Sequence, residues 1–122
     1  MAGPRIAASA RPVHVETTVA TEAEAAALES AALDLRLAAC VQRVPISSRY
    51  WWKERVEESQ EILLVFKTTA ARAAKLSAKI LALHPYEVPY LRVERMEAVP
   101  AAYRAWLSRE TVPGRRRAPR AR

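Results

Sequence analysis

The sequence predicts an α+β domain with the element order β-α-β-β-α-β, closed by a short terminal helix. Three observations lead to it. Residues 12–19 and 88–96 alternate between their two faces with period two, as half-buried strands do. Two alanine- and leucine-rich stretches carry apolar residues at helical spacing. Between these stretches lies a long extended segment, which folds back on itself as a hairpin. The chain has 122 residues, 51% hydrophobic and 27% charged, which suits one globular domain with its own core.

The elements follow in order. Strand 12–19 puts Val13, Val15 and Thr17 on one face and His14, Glu16 and Thr18 on the other. Thr21 and Glu24 form a capping box that opens a helix running to about Arg36, with Leu28, Ala32 and Leu35 on one face. Strand 39–45 carries Cys40 and Val41, and residues 47–56 continue extended with the aromatic cluster Tyr50, Trp51 and Trp52. Glu57, Glu58 and Ser59 are the expected turn, so that 47–56 pairs with strand 60–69. The unbroken apolar run from Ile62 to Phe66 fits a strand covered on both faces. Helix 70–84 places Ala73, Leu76, Ile80 and Leu83 inward and Arg72, Lys75 and Lys79 outward, and Pro85 stops it. In strand 88–96, Val88, Tyr90, Arg92 and Glu94 alternate with Pro89, Leu91, Val93 and Arg95. Pro100 starts the last helix, with Tyr103, Trp106 and Leu107 on one face. This is a ferredoxin-like arrangement of an antiparallel sheet with two helices on one face. The other face has no helical layer to cover it, and a symmetric oligomer would supply one.

The formal net charge is +7, but residues 12–108 hold 12 basic and 12 acidic side chains, so the excess sits at the two ends. We therefore expect a flexible extension over residues 1–11, one domain over 12–112 and a disordered basic tail over 113–122. The neutral domain offers no basic surface for nucleic acid, and no apolar run is long enough for a membrane helix. The single cysteine and the lack of a secretory signal pattern point to a cytoplasmic protein. Two glycines, Gly3 and Gly114, leave no phosphate-binding loop, and no nucleophile–base motif is visible, so an enzyme is not expected.

Chemistry-bearing residues are few. Cys40 and His84 form a thiol–imidazole pair suited to copper or zinc. Two ligands do not close a site, so Glu16, His14 or Glu87 would have to complete it. The competing structural reading makes Cys40 a small buried hydrophobe and His84 a helix-end cap. A more exposed site built on His84 and Glu87 would accept several divalent ions. Lys67 sits within the apolar strand, where an unpaired charge is costly, and so points to a partner carboxylate or a cleft between subunits. The aromatic cluster beside Lys53 and Arg55 suits a subunit interface better than base stacking, given the neutral domain.

Five blocks resemble one family in order and spacing: Leu37-Ala38-Ala39-Cys40-Val41, Tyr50-Trp51-Trp52, Glu61 to Thr68, His84-Pro85-Tyr86-Glu87-Val88-Pro89, and Tyr103-Arg104-Ala105-Trp106-Leu107. They are similar to the CutA divalent-cation tolerance proteins over about residues 12–112. The resemblance implies a ferredoxin-like subunit in a compact homotrimer, a cytoplasmic location, and binding of copper or another divalent ion in metal tolerance. It also implies a likeness in fold to the PII signalling trimers. That leaves open a small anionic ligand in intersubunit clefts lined by Lys67, Tyr86 and Trp52, or a structural trimer without ligand. The chain departs from the family pattern at Gln42, Glu54, Tyr90 and Val99, and Glu16 stands where some members carry a second cysteine.

Overall fold

The computed structural model describes residues 7–114. After a 3-10 turn at Ala8–Ala10 come β1 (Pro12–Val19), α1 (Glu22–Asp34), β2 (Cys40–Trp52), β3 (Arg55–Thr69), α2 (Ala70–Leu83), β4 (Arg92–Arg95) and α3 (Ala101–Glu110). The strands form one antiparallel sheet in the order β2-β3-β1-β4. The α+β, ferredoxin-like architecture is therefore the one expected. Of the expected terminal extensions, residues 1–6 and 115–122 lie outside the described residues. Arg11, at the end of the first, accepts a backbone hydrogen bond from Ala70.

The capping box forms as expected: Glu24 N–H donates to Thr21 Oγ1, and Glu24 Oε1 accepts from the Thr21 amide. At its other end α1 closes without glycine. Arg36 takes a positive φ of 56°, and the amides of Arg36 and Leu37 return to the carbonyls of Leu33 and Ala32. One sheet face is sealed by α1 and α2. Val15, Val19, Leu64 and Phe66 from the strands meet Ala25, Leu28, Ala32, Leu76 and Ile80 from the helices in a single core. Leu107 of α3 is fully buried, and α3 lies against β3.

Three local expectations are corrected. The hairpin turn lies at Lys53 and Glu54, both in the left-handed region at φ 49° and 65°, and not at 57–59. Glu57 pairs with Tyr50 and Ser59 with Ser48 inside the ladder, so the polar run that suggested a turn is the solvated flank of a long arm. The strand expected over 88–96 is only Arg92–Arg95. Pro85 and Pro89 bring no amide donor, and the Tyr90 carbonyl is taken by the Thr17 hydroxyl at 2.6 Å. Arg72, expected to face solvent, is 8% exposed near the start of α2, whereas Leu35 and Leu83, expected on the packed helix faces, stand at the helix ends and are exposed.

The other sheet face is not covered by α1 or α2. Leu63, Val65 and Lys67 of β3 lie there half-buried, with Val44 exposed beside them. Past the end of β1, which pairs Val19 with Ile62, β2 and β3 continue as a two-stranded arm carrying Tyr50, Trp51, Trp52 and Val56, all exposed.

Candidate metal centre on the open sheet face

Register brings the chemistry together. Cys40 pairs with Lys67, Lys67 with His14, and His14 with Glu94, so these four form one row across the sheet. In the next row Gln42, Val65, Glu16 and Arg92 follow in the same order. Strand alternation gives all eight side chains the open face.

Within this array His14, Glu16 and Glu94 converge, their nearest donor atoms within 4.8 Å of one another. His14 Nε2 lies 3.0 Å from Glu94 Oε2 and 3.7 Å from Glu16 Oε1. The Tyr90 hydroxyl donates to Glu16 Oε2 at 3.0 Å, which leaves Oε1 turned toward the imidazole. Arg92 Nη2 sits 3.0 Å from Glu94 Oε1. The hydrogen bond from His14, helped by the Arg92 charge, holds the Glu94 carboxyl below the usual carboxylate range. Burial, then the bond to Glu16, pushes the Tyr90 hydroxyl up, so it stays a donor. His14 Nδ1 is buried with no hydrogen-bond partner among the described residues. One imidazole nitrogen and two carboxylates at this separation are a donor set for zinc, copper(II) or another borderline divalent ion.

The expected site residues scatter. Glu16 belongs to the cluster. Cys40 is half-buried and lies two strands from His14, about 10 Å at the usual strand spacing. His84, just past α2, has both ring nitrogens engaged. Nε2 faces the Thr18 carbonyl at 2.9 Å and Thr17 Oγ1 at 3.1 Å, and Nδ1 accepts from the Tyr86 amide at 3.1 Å. That pattern fixes the tautomer with the proton on Nε2 and ties α2 to the end of β1. Glu87 is exposed and lines a groove of about 520 Å³ between the arm and residues 86–90, with Tyr86, Trp52 and Tyr90. Lys67 lies in the open-face row and is not part of that groove. His14 was legible only as a supplementary ligand and Glu94 not at all. The signal was there in the alternation of β1 and β4, but not which strands would be neighbours.

The described geometry matches known proteins. The family model for the CutA1 divalent ion tolerance protein matches residues 13–110. The chain belongs to the CutA1 family. A divalent-cation tolerance protein CutA from Thermus thermophilus is 40% identical over 95 residues, covering 77% of this chain and 92% of the relative. Its counterpart from Thermotoga maritima is 36% identical over 98 residues, covering 80% and 96%. Among solved structures, CutA from Synechococcus elongatus superposes with a TM-score of 0.81 at 36% identity, covering 87% of this chain and 95% of that one. A structure from Archaeoglobus fulgidus, described as a periplasmic divalent cation tolerance protein, superposes at 0.79 with 25% identity, covering 83% and 99%. These CutA relatives are named for tolerance of divalent cations and not for a catalysed reaction. Among the described residues no helix is long and apolar enough to cross a membrane.

Proposed function

We propose that this CutA1 chain is a non-enzymatic, cytoplasmic divalent-ion-binding protein that works as a homotrimer, with the ion held by His14, Glu16 and Glu94. The convergence of these three donors carries the reading. His14 Nε2 and the carboxylates of Glu16 and Glu94 would hold such an ion, with the imidazole proton carried on Nδ1 in place of the present His14–Glu94 hydrogen bond. Three protein donors leave coordination positions open for water or a further ligand, so the site suits reversible capture. The nitrogen and oxygen donors favour copper(II) or zinc over copper(I).

Of the ligands expected from sequence, Glu16 keeps that role. His84 is assigned to anchoring α2, since both its nitrogens are already committed. The half-buried Leu63 and Val65, the exposed Val44 and the aromatic arm support assembly through the open face. Light scattering then returns three times 13.6 kDa. Glu61 and Glu87 in the groove weigh against a small anion there. The cytoplasm suits the free thiol of Cys40, and cell fractionation tests this against the periplasmic description of the Archaeoglobus structure.

The test of the site is calorimetric titration of the tag-free full chain with zinc and with copper(II). One ion per subunit is expected, with affinity weakened about ten-fold or more by His14→Ala and unchanged by Cys40→Ala. Loss of binding in Cys40→Ala with retention in His14→Ala would contradict the reading.

A further inference from the structure

A groove of about 440 Å³ lies on the helical layer, between the end of α1 and α2. The helices cover the sheet face opposite the one assigned to subunit contact, so assembly through the open face leaves this groove on the outside. Leu35, Leu37, Ala78 and Ala82 form its apolar part. Arg72, Lys75 and Lys79 form its polar part, and no carboxylate lines it. These three cations fall at i, i+3 and i+7 of α2, so one helical ridge carries them all.

Arg72 makes the groove more than a basic patch. It is 8% exposed, and its Nε is buried with no hydrogen-bond partner among the described residues. Neither Arg72, Lys75 nor Lys79 forms an ion pair among the described residues. A second cavity bordered by Arg72, with Thr69, Ser108 and Thr111, has no carboxylate in its lining either. A guanidinium so far removed from water is costly without a counter-charge, and an anion in the groove relieves that cost.

We propose that this groove binds an amphiphilic anion, a single carboxylate or phosphate head on a short alkyl chain. The planar guanidinium of Arg72 receives either head through paired hydrogen bonds, and Lys75 and Lys79 add to its neutralisation. The chain lies on the apolar part, where Leu35 is 51% exposed and gains burial from it. A bare inorganic anion leaves that apolar surface unused. The volume is in the range of small-molecule pockets. The inference does not rest on the divalent-ion reading, because none of His14, Glu16 and Glu94 lines the groove.

The test is calorimetric titration of the assembled full-length protein with sodium octanoate and with octyl phosphate. Octanol, inorganic phosphate and phosphatidylglycerol vesicles serve as controls. Saturable binding of one octanoate or one octyl phosphate per subunit is expected, with octanol and inorganic phosphate each about ten-fold weaker or more. Arg72→Met keeps the aliphatic packing and removes the unpaired charge. It should fold at least as stably in denaturant and weaken octanoate binding about ten-fold or more. Lys79→Gln and Leu35→Ser, nearer the surface, each weaken it several-fold and keep the test decisive if Arg72→Met does not fold. His14→Ala leaves octanoate binding unchanged while weakening zinc, so this reading and the metal reading fail separately. Octanol binding as tightly as octanoate, inorganic phosphate as tightly as octyl phosphate, vesicle binding without octanoate binding, or octanoate affinity unchanged in Arg72→Met would each overturn the proposal, as would no saturable heat.

Discussion

The Tyr90 hydroxyl hydrogen-bonds Glu16 Oε2 at 3.0 Å across the open edge of the sheet. A carboxylate on β1 without a donor beside it would rotate freely, and Tyr90 aims its second oxygen at His14. Tyr90→Phe should therefore weaken zinc affinity about five-fold while leaving one ion per subunit, measured by calorimetry. Loss of stoichiometry instead would make Tyr90 part of the ligand set.

His84 is predicted to matter for stability and not for the ion. Its ring bridges Thr17, Thr18 and Tyr86 and meets the Tyr86 ring edge-on at 4.8 Å between centroids. Replacing it with alanine strands the half-buried Thr18 carbonyl and the Tyr86 amide, at a cost of about 2 kcal/mol. Denaturant unfolding should show that loss in His84→Ala, with calorimetric zinc stoichiometry intact.

Tyr86 gives the alkaline limit. Burial first, then the hydrogen bond to Glu61, raises its hydroxyl well above the ordinary tyrosine range. The unfolded chain ionises this phenol near pH 10 while the folded chain does not. The stabilisation is therefore complete below pH 10 and is lost as pH rises above it. Ultraviolet titration should find late tyrosine ionisation, and Tyr86→Phe should remove the latest part of it and flatten the alkaline loss of stability.

The arm turn predicts a gain. Lys53 and Glu54 occupy left-handed conformations that glycine adopts without strain, as in a two-residue hairpin turn of mirror-image type. Glu54→Gly should stabilise the fold by about 0.5–1 kcal/mol, read from the denaturation midpoint. A destabilised variant would show that Glu54 makes a compensating contact.

Local signals explain what the sequence made legible. Thr21 and Glu24 mark a helix start because both halves of the capping box lie within three residues, and Pro85 marks a helix stop for an equally local reason. The turn was hidden because no glycine stands at 53–54, while the polar 57–59 segment imitates one. The candidate centre was hidden for a different reason. His14 and Glu94 are 80 residues apart and meet only because β4 pairs with β1 at the sheet edge. The faces of His14, Glu16, Arg92 and Glu94 could be read from alternation, but the adjacency of their strands is a property of topology.

The most direct test of the central claim is an anomalous difference map from crystals of the full chain grown with zinc. The account predicts one peak per subunit on the open sheet face, about 2.0–2.2 Å from a His14 ring nitrogen and from oxygens of Glu16 and Glu94. A peak bound to Cys40 or His84, with His14 still hydrogen-bonded to Glu94, would contradict it.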